Sequence, residues 1–528
     1  MTASTTTDVD VLIIGMGPVG KLAALLLARA GHSVIITDRK ADTYRLPRAV
    51  AHDAEIARIL QSAGLSPNAM PDAVEPYDDM YTWVNGEGEV LHQVDWTGID
   101  PSGWNNTYFY NQPALEGYLE EQLAAAAGVR TVRGVAAAVL DQDEHSVTGV
   151  LTDLGDGTTT ELRARYALGA DGANSGVRSS LGIEWHDLGY FFDWLVVDVL
   201  PKEQLPVASS AIQVCDPARP TTVVPGGPGR RRWEFMRLEN ETKEELTRPE
   251  RIWQLLERFG VTEANASLER GVVYTFNSGW AEQWRKGRVL LLGDAAHLMP
   301  PFAGQGLAAG FRDCLNLMWK LDRVLAGSAP QSLLDSYESE RLDHVKEFIE
   351  FSMSLGRIIC ITDVDEARAR DEQMMKARAQ GTTPEPPPEP RLGPGLHRGE
   401  HGGHLSWQGQ VTTATTTTAT RFDDVFGHGA LIIGDPELAR SVDAATIEAL
   451  AAAGIAVTAF TATDDVPAGV QMFDDVNGTY RSWLSLLDTG AVLVRQDFYV
   501  FGTARTVEQL RDLELGFLES VGGTTVPV

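Results

Sequence analysis

The sequence predicts an α/β protein in which a discontinuous Rossmann-like domain is interrupted by an antiparallel sheet and followed by a smaller α/β domain. Three observations support this prediction. A short apolar strand leads directly into the turn Gly15-Met16-Gly17-Pro18-Val19-Gly20. A second strand-and-glycine motif, Gly293-Asp294-Ala295-Ala296-His297, lies far downstream. The chain between the two motifs, from residue 186 to residue 275, is rich in strand-like runs separated by glycine and proline turns.

The composition excludes several classes of protein. The 528 residues are enough for two or three domains, and 43% hydrophobic with 22% charged residues is typical of a globular protein. A net charge of −29 argues against nucleic acid or an anionic membrane as the main partner. The three cysteines, Cys215, Cys314 and Cys360, are too widely spaced for a disulfide framework or a metal site, and they indicate a reducing, cytoplasmic compartment. We expect no signal peptide and no membrane span near the start, because the apolar run 22–28 is too short.

The first glycine motif has the parts of a dinucleotide-binding unit. The apolar run 10–14 is typical of a strand buried on both faces, and a helix is predicted to begin at Pro18. Gly15 permits the tight turn, Gly17 lets the backbone approach a pyrophosphate, and Gly20 lets helix and strand pack closely. Free N–H groups and a partial positive charge at the start of the helix favour phosphate.

A second strand, predicted at 33–37, ends at Asp38-Arg39, about 20 residues past the turn. A carboxylate at this place can accept hydrogen bonds from ribose hydroxyls. The alternative is a glycine-rich turn without a ligand. This segment by itself does not distinguish FAD from NAD.

The second motif favours FAD. A buried strand at 288–292 delivers Gly293-Asp294, where a carboxylate can bind the hydroxyls of a ribityl chain, which NAD lacks. Pro301 in the following loop offers no N–H and restricts its shape. The helix that begins at Gly304-Gln305-Gly306-Leu307 would direct its N-terminus at the flavin edge that becomes negative on reduction. For His297, packing near the start of this helix is preferred over a role in proton transfer.

The ordered set of motifs resembles the FAD-dependent aromatic hydroxylases of the p-hydroxybenzoate hydroxylase fold, and most closely the 3-(3-hydroxyphenyl)propionate, phenol and resorcinol hydroxylases. The motifs that match are the first glycine turn, Arg48-Ala49-Val50, Gln112-Pro113, Gly169-Ala170-Asp171-Gly172-Ala173 with Ser175 and Arg178, and the block from Gly293 to Gly306. The resemblance implies that Arg48 and Gln112 contact FAD, that Asp171 serves both FAD and NAD(P)H, and that Asp294 holds the ribityl chain.

The resemblance also implies the reaction. NADH or NADPH reduces the flavin, O2 gives a C4a-hydroperoxyflavin, and this adduct hydroxylates a phenolic substrate such as a 3-hydroxyphenylpropionate-like acid or a related phenol. Three residues are candidates for the pocket: Arg232, which begins a strand near flavin and substrate in the family, Tyr190, and His52. At Ala51-His52 the chain departs from the family, which usually has a glycine and an aliphatic residue there, so packing is an equal alternative for His52. No group is assigned to deprotonate the phenol, and no metal is predicted.

The expected domains are discontinuous. They are the FAD domain at 1–75, 105–185 and 276–375, the substrate-binding sheet at 76–104 and 186–275, a proline-rich linker at 376–420, and a C-terminal domain at 421–528. The resemblance implies that this last domain is thioredoxin-like. It has no cysteine, so it cannot carry C-x-x-C redox chemistry, and a structural role or a subunit contact in a homodimer is expected.

Three other functions are weighed. A flavin halogenase would carry W-x-W-x-I-P, and this sequence lacks it. A flavin disulfide reductase needs a cysteine pair near the first helix, but the first cysteine is Cys215. A flavoprotein that binds a ligand or partner without turnover remains open.

Overall fold

The computed structural model describes residues 8–42, 49–189, 192–382, 386–460 and 465–522. The elements of the first third are β1 (Val9–Ile14), α1 (Pro18–Arg29), β2 (Val34–Asp38), β3 (Ala51–Asp53), α2 (Ala54–Ser62), β4 (Val74–Tyr77), β5 (Met80–Val84), β6 (Val90–Asp95), β7 (Thr107–Tyr110), α3 (Gln112–Ala125), β8 (Val129–Arg133), β9 (Val135–Gln142), β10 (Val147–Asp153), β11 (Thr159–Gly169) and α4 (Gly176–Ser180).

The middle of the chain adds the elements β12 (Trp185–Asp187), β13 (Phe192–Pro201), β14 (Ala211–Val214), β15 (Thr221–Pro225), β16 (Arg231–Met236), α5 (Lys243–Leu246), α6 (Pro249–Glu257), β17 (Ala266–Phe276), β18 (Gly279–Ala281), β19 (Arg285–Lys286), β20 (Val289–Leu291), β21 (His297–Leu298), α7 (Gly306–Leu325), α8 (Ser336–Ile359) and α9 (Val364–Ala379). The last part contains β22 (Gln410–Thr412), β23 (Thr420–Arg421), α10 (Phe422–Phe426), β24 (Ala430–Ile433), α11 (Pro436–Ser441), α12 (Ala444–Ala452), β25 (Ala456–Ala459), β26 (Gln471–Met472), β27 (Asp474–Asp475), α13 (Thr479–Leu486), β28 (Ala491–Val494), β29 (Val500–Ala504) and α14 (Val507–Ser520).

The central sheet has the strand order β19-β20-β11-β1-β2-β8, and β1 lies parallel to both β2 and β11. Its apolar strands are buried on both faces, as the continuous Val/Leu/Ile run of β1 predicts. Ile14 pairs with Gly169, and Gly169 pairs with Leu291 in the parallel strand β20. The chain therefore leaves β1, β11 and β20 side by side at one edge of the sheet, where ligands bind in open α/β sheets.

A seven-stranded sheet, which we call the roof sheet, has the order β17-β13-β16-β15-β14-β5-β6. The β5–β6 hairpin joins it from the first third of the chain, with β5 parallel to β14. Side chains alternate along β13: Leu195, Val197 and Val199 belong to an apolar cluster with α6. Trp194 and Asp198 lie on the opposite, inner face, which is the face turned away from α6.

The C-terminal part is built on a five-stranded sheet of order β26-β25-β24-β28-β29. The tip between β28 and β29, residues 495–499, is buried against the rest of the protein. Arg495 donates to Glu340 of α8 at 2.8 and 2.7 Å, and the Phe498 ring lies 4.2 Å from the Arg58 guanidinium carbon of α2. Phe498 has a left-handed φ of 70°, so the tip is held in a conformation that a bulky residue rarely adopts.

The sequence predicts one long helical stretch over 333–370. The structure divides it into α8 and α9, because the Asp363 side chain accepts from the N–H groups of Asp365 and Glu366 and starts a new helix. The segment 376–420 is expected as a proline-rich linker, which links or wraps at 381–394; it contains the end of α9 and strand β22, and Gly393 N donates to Glu340 O at 2.9 Å. This part of the chain wraps along α8. No helix within the described ranges has the length and apolar character needed to cross a bilayer.

Candidate active site

The first glycine turn lies between β1 and α1, and its three glycines have different surroundings. A Cβ on Gly15, whose φ is +109°, would lie 2.2 Å from Ala170 O, and a Cβ on Gly20 would lie 2.1 Å from Gly15 O. A Cβ on Gly17 would meet no atom within 4 Å. Gly15 and Gly20 are therefore required by the fold itself. The space beside Gly17 is open, as the predicted approach of a pyrophosphate needs.

Asp38 at the end of β2 fixes this turn. Its carboxylate accepts from Met16 N at 3.0 Å and from Lys40 N at 2.8 Å. The neighbouring Arg39 is exposed. The carboxylate is only partly buried, so the predicted ribose contact of Asp38 and the predicted role of Arg39 stay predictions.

The two glycine motifs, more than 270 residues apart in the chain, meet through Val19 of α1. A Cβ on Gly293 would lie 3.1 Å from Val19 Cγ2, and one on Gly310 of α7 would lie 2.6 Å from the same atom. Asp294 lies half-buried in a 3-10 turn that directly follows β20. The structure therefore brings the start of α1, the Gly293-Asp294 turn and the start of α7 to one place.

Asp313 of α7 holds the second glycine motif in place through hydrogen bonds. Its buried carboxylate accepts from Gly293 N at 3.1 Å, from His297 Nε2 at 2.7 Å and from Arg341 Nε at 3.0 Å. Burial by itself would raise the pKa of Asp313, but His297 and Arg341 lower it below its ordinary value. His297 is thus a buried structural partner of Asp313. Sequence reasoning missed Asp313, because nothing near it in the chain marks it.

The start of α7 is held by side chains rather than by a cap of its own. Gly304 has a left-handed φ of 67°. Gln305 donates from Nε2 to Asp53 Oδ2 at 3.0 Å and accepts at Oε1 from Arg312 Nη1 at 2.6 Å. Arg312 Nη2 also donates to Asp53 Oδ2 at 2.6 Å. Gln305 is therefore placed by its neighbours, and its side chain is already engaged within the protein.

The residues around the start of α7 are partly or fully exposed, as is needed for a loop that contacts a ligand. Pro301 and Gly304 are exposed, whereas Gly306 and Leu307 are half-buried, and Leu307 packs on the main core.

Gln112 and Asp171 are engaged inside the protein as well. Gln112 Nε2 donates to Glu116 at 2.8 Å, and its Oε1 accepts from Ala49 N at 3.0 Å. Asp171 accepts from Ser175 Oγ at 2.5 Å and from Val177 N at 3.1 Å, which ties it to the start of α4. The direct cofactor contacts predicted for both side chains stay predictions. Arg48 lies outside the described residues.

One end of the roof sheet's inner face is aromatic. Trp194 and Phe276, on neighbouring strands, lie 5.7 and 6.0 Å from the ring of Phe302, measured between ring centroids. Phe302 belongs to the loop that connects the second glycine motif with α7. We call these three residues the aromatic edge. It joins the roof sheet to the loop that is predicted to lie at the flavin.

The other end of this face carries four charged side chains, Asp198, Arg232, Glu234 and Arg270, which we call the charged edge. Arg232 Nε lies 2.7 Å from Asp198 Oδ1, and Arg270 Nη2 lies 2.8 Å from Asp198 Oδ2. Glu234 lies 3.6 Å from Arg232 Nη1 and keeps 16% side-chain exposure in the middle of the sheet, whereas the other three are almost completely buried. Burial raises the pKa of Glu234 above its ordinary value, although Arg232 opposes this shift.

Two of the three pocket candidates can be placed. Arg232 lies on the inner face, but it is paired with Asp198 and buried. His52 in β3 is buried and stacked on Tyr108 at 5.0 Å, and its Nδ1 lies 2.9 Å from Asp53 O. Burial lowers the pKa of His52, and in the described part of the chain its Nε2 has no hydrogen-bond partner. Tyr190 lies outside the described residues. Glu234 was not singled out by sequence reasoning, because it shares its strand with Arg231 and Arg232 and so does not stand out as a lone charge.

The geometry fits FAD. Helices α1 and α7 begin without a side-chain cap, whereas α2 and α3 are capped by Asp53 and Asn111. The uncapped first turns leave N–H groups for phosphate and for flavin oxygen atoms. Together with the open space beside Gly17, they form a cradle along the edge of the central sheet.

Comparisons with known proteins agree with this geometry. Residues 8–352 match the family described as "FAD binding domain", and residues 403–514 match "HcaD C-terminal domain". The chain belongs to this FAD-binding family. FAD as the cofactor and the family predicted from the sequence are therefore confirmed, and the chain is a flavin-dependent monooxygenase of the aromatic hydroxylase type.

Similar proteins cover almost the whole chain. A probable NADH-specific resorcinol 4-hydroxylase of Rhodococcus jostii is 38% identical over 96% of this chain and 94% of its own length. A 3-(3-hydroxy-phenyl)propionate/3-hydroxycinnamic acid hydroxylase of Paraburkholderia xenovorans is 31% identical over 96% of this chain and 90% of its own. The crystal structure of aklavinone-11 hydroxylase with FAD and aklavinone shares the fold, with a TM-score of 0.78, 23% identity and coverage of 98% and 100%.

Proposed function

We propose that this FAD-binding protein uses NADH and O2 to hydroxylate a small uncharged phenol, with resorcinol as the first candidate. The observation that carries the proposal is the inner face of the roof sheet. That face has an aromatic edge suited to a flat ring at one end and, at the other, a charged edge whose one partly open carboxylate is Glu234. The 38% identity to the Rhodococcus jostii resorcinol hydroxylase over nearly both whole chains supports the same substrate class and NADH as the reductant.

The cofactor-holding residues are proposed from the cradle. We assign the pyrophosphate to the turn of Gly15, Gly17, Pro18 and Gly20, and the ribityl chain to Asp294. The flavin edge is assigned to the N–H groups at Gly304, Gln305 and Gly306. When bound, FAD supplies hydride acceptance from the nicotinamide and activation of O2 for aromatic hydroxylation. The protein contributes the orientation of the ring and the exclusion of water from the space between the roof sheet and the loop of Phe302.

Glu234 is proposed to hold the substrate hydroxyl. A buried carboxylate with a raised pKa is a good acceptor for a phenolic O–H, and a hydroxyl that loses its proton towards Glu234 makes the ring more electron-rich. Arg232, 3.6 Å away, lowers the pKa of Glu234 and so opposes the effect of burial.

The charges of the inner face favour a substrate without a carboxylate. Both arginines of the charged edge already lie within 2.8 Å of Asp198. A substrate carboxylate placed there would have to compete with Asp198 and would meet the like charge of Glu234. This argument separates an uncharged phenol from the 3-hydroxyphenylpropionate-like acid that the sequence left open.

The finer organisation is part of the proposal. We infer an FAD domain at 1–75, 105–185 and 276–375, a substrate domain at 76–104 and 186–275, and a thioredoxin-like C-terminal domain from 421 onward. The C-terminal assignment is supported by the sheet of order β26-β25-β24-β28-β29, in which β24 and β25 are parallel and β28 and β29 are antiparallel.

The C-terminal domain also offers a surface for a second subunit: the exposed Leu486, 70% accessible, is compatible with a homodimer contact. Three buried free cysteines support a cytoplasmic location, and the acidic surface argues against a nucleic-acid partner.

The proposed reaction is tested with purified yellow protein. Loss of flavin absorbance is followed after adding NADH or NADPH, with resorcinol, phenol or 3-hydroxyphenylpropionate present or absent, and hydroxylated product is measured against H2O2. We expect resorcinol to accelerate bleaching by NADH and to give coupled product. If neither nicotinamide bleaches the flavin, the proposed reductant and reaction are refuted; if only the acid gives product, the argument from the charged edge is wrong.

The role of Glu234 is tested with Glu234→Gln, and exposed Glu239 just beyond the same strand provides the control Glu239→Gln. We expect Glu234→Gln to lower the rate of product formation at least about tenfold and to change its dependence on pH, because the amide cannot take up a proton. Glu239→Gln should behave like the wild type. Equal, unchanged pH profiles for both variants would remove Glu234 from the reaction.

A further inference from the structure

The tip between β28 and β29 reaches the helix start that is assigned to the flavin. Tyr499 in this tip is buried, and its hydroxyl donates to Glu55 Oε1 of α2 at 2.7 Å, across 444 residues of sequence. The main chain at Tyr499 is held as well, since Arg495 N donates to Tyr499 O at 2.9 Å. A residue of the C-terminal domain thus completes the hydrogen bonding of a buried carboxylate in the FAD-binding part.

Glu55 is connected to the start of α7 by further side-chain hydrogen bonds. Glu55 Oε2 accepts from Arg312 Nε at 2.5 Å, and Arg312 Nη1 donates to Gln305 Oε1 at 2.6 Å. Glu55 and Arg312 are 2% and 1% exposed. Two side chains therefore separate the Tyr499 hydroxyl from Gln305, which directly precedes α7. All of these bonds lie in a buried region, where electrostatic interactions are stronger than in water.

Gln305 depends on these side-chain hydrogen bonds, because the residues next to it in the chain do not restrict its backbone. It lies between Gly304, whose φ is +67°, and Gly306, so the chain on both sides is free to adopt other conformations. The directions of the first N–H groups of α7 then depend on how firmly the Gln305 side chain is held. Burial and the charge of Glu55 both raise the pKa of Tyr499 far above its ordinary value, so its hydroxyl remains a donor.

We propose that Tyr499 is a positioning residue through which the C-terminal domain fixes the start of α7 at the flavin. This inference rests on FAD occupying the cradle described above. It gives the cysteine-free C-terminal domain a role in tuning the cofactor. N–H groups aimed at the flavin stabilise the negative charge that reduction places there. When Tyr499 loses its hydroxyl, Glu55 and Arg312 are held less firmly, and this stabilisation should weaken.

The test is the flavin midpoint potential of the FAD-loaded protein, measured by spectroscopic titration with a reference dye. For Tyr499→Phe we expect the equilibrium constant of two-electron reduction to fall about threefold to tenfold, which is about 15–30 mV. The matched control is Tyr480→Phe, which also removes a buried hydroxyl of the C-terminal domain. The Tyr480 hydroxyl accepts from Gly409 N at 3.1 Å, so its hydrogen bond stays within the C-terminal part of the chain and does not reach Glu55 or α7. The control should keep the wild-type potential.

Each outcome of these measurements leads to a different conclusion. A lower potential in Tyr499→Phe with an unchanged potential in Tyr480→Phe supports the inference. Unchanged potentials in both variants, or equal shifts in both, overturn it, because the contact would then act only through general stability. If Tyr499→Phe does not fold, Glu55→Asp decides: it keeps the charge but withdraws the carboxylate from both partners, and it should lower the potential. If the wild-type protein takes up no FAD, the proposed function itself is refuted.

Discussion

Replacing Asp313 with asparagine should destabilise the protein by about 3–5 kcal/mol, the usual loss when one partner of a buried ion pair is removed. The carboxylate is fully buried and lies 3.0 Å from Arg341 Nε and 2.7 Å from His297 Nε2. Asparagine keeps the shape, so no cavity forms and the loss is electrostatic. The Arg341 cation would remain buried without its countercharge.

The assay is urea unfolding of the apo protein at pH 7, followed by tryptophan fluorescence, because the Trp284 ring lies 5.1 Å from His297. The control is Asp335→Asn. Asp335 also pairs with an arginine, Arg285, at 2.5 Å, but its side chain is 70% exposed. An exposed pair contributes only about 0–1 kcal/mol.

The pH dependence gives an independent check. Because the folded protein lowers the pKa of Asp313, this carboxylate stabilises the fold fully above its unfolded pKa of about 4, and the contribution is lost as the pH falls through the folded pKa. The difference between wild type and Asp313→Asn should therefore shrink below about pH 4. A loss below about 1 kcal/mol at pH 7, equal to that of Asp335→Asn, would refute the reasoning.

Three further predictions concern the FAD cradle and a buried carboxyl group of the C-terminal part. Asp294→Ala should weaken FAD binding at least about tenfold, measured by fluorescence quenching, because a hydrogen bond to a charged group contributes about 1.5–3 kcal/mol; unchanged affinity would contradict the assignment of the ribityl chain. Gly17→Ala should leave the apo protein folded, since its Cβ meets open space, but should reduce FAD affinity, whereas Gly15→Ala should yield little folded protein, because its Cβ would lie 2.2 Å from Ala170 O. Equal yields of the two variants on gel filtration would show that the turn adapts. Glu514 is buried, and burial raises its pKa to about 8; the folded state then holds a proton that the unfolded state releases, so stability falls as the pH rises from about 4.5 to about 8. Glu514→Gln should therefore stabilise the protein at pH 8, on the order of 4 kcal/mol, and have little effect near pH 4.5; thermal unfolding at the two pH values checks this.

Local patterns in the sequence were sufficient for many elements. The apolar run 430–433 predicts a strand, and β24 (Ala430–Ile433) has those bounds. The first helix is predicted over 18–30, and α1 ends one residue earlier. Continuous apolar runs and glycine or proline boundaries act over a few residues, so such elements can be read from the local sequence. The break between α8 and α9 was missed although Asp363 was present in the sequence. An N-cap is recognisable only when the residues after it are known to start a helix.

The sequence by itself predicted FAD as the cofactor, because the two glycine motifs and Asp294 are recognisable from a few neighbouring residues each. It could not determine which side chains hold these motifs in place. Gln305 is held by Arg312 and Asp53, which are 259 residues apart, and Tyr499 reaches Glu55 from the other end of the chain. Such pairs are decided only by tertiary packing, because a charged side chain looks the same in the sequence whether it faces water or a buried partner.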